Sequence, residues 1–197
     1  RDLDDPEYDI KYEGSTLVVS VKVKFEAREM QSAAVDFEAK ILRNGTEDKY
    51  KSEDFNSGDD LFLSFLTPKD GYLAVYLVEG SQAYCLLPYR NQTDGICQVK
   101  ANTRRVFFST AEDKSAEVDE YVMTTDKPME NDVIYVIFSP KEFSKAADTQ
   151  SDRQVDMEGT AGLPRELPFE KFQKWLSKLM GHDERMSIET IPITSRK

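Results

Sequence analysis

The chain carries one histidine, His182, in the stretch Gly181-His182-Asp183-Glu184. A Ser-His-Asp or Cys-His machine needs that ring in a cleft beside a nucleophile, and no Gly-x-Ser-x-Gly elbow supplies one. The residue therefore reads as an exposed loop histidine just past a helix stop, where a cation is favourable. Sites built on two or three histidines are excluded by count, and neither a P-loop nor a Gly-x-Gly-x-x-Gly fingerprint is present, so no metal and no cofactor are expected. Carboxylates are abundant. A pair such as Asp59 and Asp126 would be the signature of a glycan hydrolase, but its criterion is a distance across a cleft, which spacing along a chain does not give. Asp59-Asp60 beside Gly58, and Asp2, Asp4 and Asp5, lack the alternating oxygen pattern of a calcium loop and read as solvated charges.

Cys85 and Cys97 flank the turn Asp94-Gly95, so a hairpin could set them opposite each other. A disulfide and two free buried thiols both remain open, because a bridge requires Cα atoms within about 7 Å. Asn44-Gly45-Thr46 and Asn91-Gln92-Thr93 match the glycosylation acceptor pattern, and turn chemistry already accounts for both asparagines.

These residues belong to a chain of 197 with Lys+Arg 26 against Asp+Glu 37, a net charge of -11. The acidic excess repels phosphate backbones and anionic lipid, and the basic residues form no stripe, so nucleic acid is not an expected partner. No apolar stretch approaches the roughly 20 residues of a membrane span, and membrane insertion is not expected either. The opening Arg1-Asp2-Leu3-Asp4-Asp5-Pro6 reads as the start of a fragment whose natural N-terminal part has been removed.

Periodicity predicts strands. Leu17, Val19, Val21, Val23 and Phe25 alternate with polar residues over 16–25, and Val35, Phe37, Ala39 and Ile41 do so over 34–42, where a helix over 27–42 is the rival. Asn44-Gly45, Ser57-Gly58, Asp70-Gly71, Glu79-Gly80 and Asp94-Gly95 punctuate the chain as in a meander, separating strands at 61–66, 72–78 and 82–87. Further strands follow at 105–109, 118–123 and 132–138. Those at 72–78 and 132–138 are apolar on both faces and need cover on both sides. One cover is a second sheet. The other is an amphipathic helix over 168–180, with Phe169, Phe172, Trp175, Leu176, Leu179 and Met180 on one stripe, Pro168 in its first turn and Gly181 at its stop. Residues 139–167 form a polar loop. A last strand after Met186 contains Pro192, which places it at an edge or beside a bulge.

The resulting expectation is a mainly β chain, an antiparallel β-sandwich with immunoglobulin-like layering and one C-terminal amphipathic helix. Residues 1–15 are a tail or first strand, and 16–197 a single domain.

The most distinctive block runs Asn56-Ser57-Gly58-Asp59-Asp60-Leu61-Phe62-Leu63-Ser64-Phe65, then Lys69-Asp70-Gly71-Tyr72-Leu73-Ala74-Val75-Tyr76, then Tyr84-Cys85-Leu86-Leu87-Pro88-Tyr89. In it the chain resembles the bacterial family known as domain of unknown function 4384: a Gly-Asp lead-in to a strand, a Gly-Tyr turn into a Tyr-Leu-x-Val-Tyr strand, and a Leu-x-Pro exit. The match covers roughly residues 34–140. The resemblance implies an accessory β-rich module of a larger cell-envelope protein, periplasmic or at the cell surface, with no established reaction or catalytic residue to carry over. The leading expectation is thus a non-catalytic interaction or scaffold module with a protein or glycan partner. Its candidate binding residues are Tyr72, Tyr89 and Arg90, because aromatic and arginine anchors dominate hot spots. The alternatives are a carboxylate-based glycan hydrolase and a carbohydrate-binding module that presents the Tyr84 to Tyr89 stretch as a ring platform.

Overall fold

The computed structural model describes residues 7–13 and 16–22 by their backbone pairing, and 34–92, 96–115, 117–146 and 165–197 with their side chains. The chain divides into two compact units, residues 1–31 and 32–197. The first contains an antiparallel hairpin, β1 (Glu7–Glu13) with β2 (Thr16–Lys22). The boundary expected between residues 15 and 16 therefore falls between two paired strands. Residues 23–33, including the start of the stretch where helix and strand competed, lie outside the described residues.

The second unit is mainly β. Its strands are β3 (Glu38–Arg43), β4 (Asp54–Asn56), β5 (Asp60–Leu66), β6 (Gly71–Glu79), β7 (Gln82–Leu87), β8 (Cys97–Val99) and β9 (Arg105–Phe107), followed by β10 (Tyr121–Val122), β11 (Met129–Ser139) and β12 (Arg165–Pro168). Helix α1 (Phe169–Met180) and β13 (Ser187–Arg196) follow among the described residues. The smaller sheet has the order β10-β5-β3, with β9 also on β5. The larger has the order β12-β7-β6-β11-β13-β4, with β8 on β6.

Strand alternation explains the layering. Along β6, Leu73, Val75 and Leu77 face one core, while Tyr72, Ala74, Tyr76 and Val78 face another. Along β11, Ile134, Val136 and Phe138 face the first core, and Tyr135 and Ile137 the second. The first core is closed by Ile41, Leu61, Leu63 and Phe65 of the smaller sheet. The second is closed by α1, whose Phe172 is fully buried and whose Trp175 ring lies 5.4 Å from Tyr76. Both faces of the two apolar strands are thus covered as their composition requires.

Several expectations change. The strands at 61–66 and 72–78 are not neighbours in one meander: β5 belongs to the smaller sheet and β6 to the larger, so Thr67–Asp70 carries the chain across the core. The sheets are not purely antiparallel, because β4 runs parallel to β13. The polar loop expected over 139–167 ends in a strand, β12, on the outer edge of β7. Its first residues are also anchored, since the Ala146 N–H donates to the Tyr76 hydroxyl at 3.1 Å and Trp175 Nε1 donates to the Ser144 carbonyl at 3.0 Å.

Pro192 sits where β4 does not reach, because β4 pairs only with Thr194–Arg196. The Thr194 N–H points outward to Glu53, and residue 192, two positions earlier, points its nitrogen the same way, so no ladder bond is lost. Gly71 is required by close approach: a Cβ there would lie 2.5 Å from the Ser139 carbonyl oxygen and 2.6 Å from the Phe138 ring.

Candidate functional site

The inward stripe of β11 continues past its apolar part. Counting back by twos from Phe138, Val136 and Ile134 reaches Asp132 and then Glu130. The stripe of β6 runs Leu73, Val75, Leu77 and then Glu79. Because the strands are antiparallel and Ile134 faces Leu77, both acidic ends lie at the same end of the sheet. Tyr84, opposite Leu77 on β7, shares that face. The register thus gathers carboxylates and a phenol on the inner side of the larger sheet, where the apolar core ends.

There the two sheets enclose a cleft of ≈ 300 Å³. Asp132, Glu79 and Tyr84 line it from the larger sheet, and Glu120 and Tyr121 from the β10 side. Leu61, Leu77, Leu86 and Met123 supply apolar wall, and Val122, 52% exposed, stands at the rim. Tyr121 is fixed, since its hydroxyl donates to the Leu86 carbonyl at 3.0 Å and its ring packs edge-on to Phe108 at 5.1 Å.

Asp132 is the unusual member. It is 5% exposed, and its Oδ1 is buried without a hydrogen-bond partner among the described residues. Burial, and then the charges of Glu130 and Glu79, push its carboxyl up to about 6, against the opposing charge of Lys127. Lys127 is already engaged with Glu130, which also accepts from Thr125 Oγ1 at 2.9 Å. Glu120 accepts from the Thr110 N–H at 3.0 Å and from its hydroxyl at 2.8 Å, and these bonds hold it below the usual range. Burial and the charges of Glu79, Glu166 and Asp132 raise the Tyr84 phenol. Chemically this is a negative, partly dehydrated recess with apolar sides and an acceptor left open. Among the described residues, no group of three His, Cys, Asp or Glu is placed to hold a metal ion.

The candidate binding residues do not converge. Tyr72 is half-buried against the α1 core and borders a separate recess with Asp70 and Lys100. Tyr89 is fully buried in the inter-sheet core, so it is a structural anchor and not a contact residue. Its hydroxyl donates to Asp113 Oδ2 at 2.7 Å and accepts from the Phe108 N–H at 2.9 Å, holding Phe108 at φ 70°, where a bulky side chain is strained. Arg90 is half-buried: its N–H donates to Asp119 Oδ2 at 2.8 Å, and its side chain lies 3.8 Å from the same carboxylate. Burial of Tyr89 also removes the ring platform expected over Tyr84 to Tyr89.

Of the two alternatives for the cysteines, the structure shows the unbridged one: Cys85 and Cys97 form no disulfide, and both are buried. Cys85 pairs with Tyr76 and faces the α1 core, whereas Cys97 pairs with Leu73 and faces the inter-sheet core. The sheet itself lies between the two thiols, and burial raises that of Cys97 further.

Asp59 is committed to its turn, accepting from Asn44 Nδ2 at 2.6 Å and from the Asn56 N–H at 2.6 Å, and neither it nor Asp126 lines the cleft. The first glycosylation acceptor, Asn44, thereby has its side-chain nitrogen occupied. His182 is exposed, with Nδ1 2.6 Å from the Lys178 carbonyl at the end of α1.

Sequence reasoning missed Asp132 and Glu79. The signal was available: each is the charged terminus of an otherwise apolar alternating stripe, on strands that composition had already marked as central. No family model, no curated protein and no solved structure matches this chain. Among the described residues, the second unit is defined by its class, a mainly β, sandwich-like fold with a helix packed on the larger sheet and an acidic cleft between its sheets. Among the described residues, no helix is long and apolar enough to cross a membrane.

Proposed function

We propose that this chain is a non-catalytic interaction module of an exported bacterial multidomain protein, and that the cleft around Asp132 is its recognition element. The observation that supports this reading is the buried Asp132 oxygen, which no group among the described residues satisfies. Buried polar groups are paired in the great majority of native structures, and an open one marks a place where something else completes the pairing. The envelope setting is supported by the resemblance over residues 34–140 and by no other observation.

One observation favours a second reading. A carboxyl raised toward neutrality beside other carboxylates is what a glycan hydrolase needs in its general acid. The two readings separate when the full chain is incubated with soluble cell-wall glycan fragments and new reducing ends are counted. The interaction reading expects no more from the native chain than from an Asp132→Asn variant. Turnover that disappears in that variant would replace it with the hydrolase.

A further inference from the structure

Resting on that recognition reading, we propose that the cleft receives the side-chain ammonium of a lysine on a partner protein, with Asp132 as its acceptor. Four features of the site select that chemistry.

The charge comes first. Asp132, Glu79 and Glu120 face one recess, and Lys127, whose charge acts on Asp132, is already engaged with Glu130. A bound cation would relieve the repulsion among the carboxylates and complete the open Oδ1, since an ammonium brings three donors to groups that only accept.

The cation must also be organic. A hard divalent ion wants about six oxygen ligands held close together, and the described residues place no group of three ligating side chains suitably.

Shape argues for lysine over arginine. A planar guanidinium is best matched by a carboxylate offered edge-on with both oxygens, whereas a compact ammonium on a flexible stem suits a carboxylate sunk in the wall of a recess with one oxygen enclosed. The acceptor is 5% exposed, so the charge must arrive at the end of a long unbranched stem. Leu61, Leu77, Leu86 and Met123 offer that stem apolar contact, and the Tyr84 and Tyr121 rings add surface that favours cations.

The rim points to a protein as the carrier. Val122 is a half-exposed apolar side chain at the mouth, where a partner's main chain would cover it. The strongly negative net charge, -11, steers basic partners toward the molecule.

The test is an NMR titration of the full chain with Nα-acetyl-lysine methylamide, alongside the norleucine analogue, which keeps the stem and lacks the charge, and cadaverine, a free diamine. The lysine probe should shift Tyr84, Val122 and Asp132 resonances saturably. Asp132→Asn, shown to be folded by its spectrum and melting curve, should weaken that binding at least tenfold, and Glu79→Gln by a few-fold. Equal binding of the norleucine analogue would overturn the assignment of an ammonium while leaving recognition at the cleft intact. An unchanged affinity in folded Asp132→Asn would overturn the role of Asp132. Cadaverine binding much more tightly than the lysine probe would overturn the protein partner in favour of a free polyamine. Glycan turnover that depends on Asp132 would instead remove the reading on which the inference rests.

Discussion

Two aspartates of this molecule are buried to the same degree, Asp113 and Asp132 at 5% exposure each, and the fold treats them in opposite ways. Asp113 accepts from the Tyr89 hydroxyl at 2.7 Å, from Ser115 Oγ at 2.8 Å and N–H at 3.1 Å, and from Arg105 at 3.0 Å. Burial alone would raise its carboxyl, but these donors and the Arg105 charge outweigh it and hold it below the ordinary range. Asp132 has the same burial and like charges for neighbours, and its carboxyl rises to about 6. Burial of a charge is therefore not what marks a site. The first aspartate is satisfied by neighbouring donors and fixes structure, whereas the second has one buried oxygen that no group among the described residues satisfies.

The largest way to break the comparison is to remove the satisfied partner. Asp113→Ala leaves the Tyr89 hydroxyl and Arg105 without their acceptor and should cost about 3 kcal/mol in denaturant unfolding. Tyr89→Phe, which strips one bond from Asp113 and the acceptor from the Phe108 N–H, should cost about 1–2 kcal/mol.

Asp132→Asn should act with the opposite sign. Between about pH 4 and 6 the unfolded chain has released this proton while the folded chain still holds it, so the native protein loses stability as pH rises through that window. Above it the variant should be more stable by about 1–3 kcal/mol, with the difference vanishing below pH 4 in melts followed across pH. A loss of stability at pH 8 would make Asp132 a structural residue like Asp113. Asp113 itself should contribute in the reverse sense, its stabilisation being lost as acid protonates it through its lowered pKa.

A smaller effect sharpens the account of the two faces. A thiol reagent should find Cys85 and Cys97 unreactive in the native chain and both reactive on unfolding without reductant, because the two are unbridged and buried in different cores. A requirement for reductant would contradict the register of β7 and β8 on β6. Smallest of all, His182→Ala at the exposed end of α1 should change stability by no more than about 0.5 kcal/mol.

The strand content, the two doubly apolar strands and helix α1 were legible in the sequence because each is a local pattern: period two with branched residues, or an apolar stripe bounded by Pro168 and Gly181. Sheet membership was not. The short Thr67–Asp70 connection looks like a hairpin, yet the crossing from β5 to β6 is decided by which core can bury Leu61, Leu63 and Phe65. The cysteines stayed undecided for a related reason, because spacing says nothing about which face of a sheet a side chain takes until the register is known. Tyr89 was read as a contact residue from its type, whereas its hydroxyl is spent on Asp113 and Phe108. The cleft required two registers at once, that of β11 on β6 and that of β7 on β6, before Asp132, Glu79 and Tyr84 could be seen to meet.

The most direct test of the central contrast is to follow the Asp132 carboxyl carbon by NMR across pH, its resonance assigned by its loss in Asp132→Asn. The account predicts a midpoint near 6, with Asp113 titrating below the ordinary aspartate range in the same spectra. A midpoint for Asp132 at or below about 4, the value of an ordinary solvated aspartate, would contradict the claim that its burial is left uncompensated by the chain.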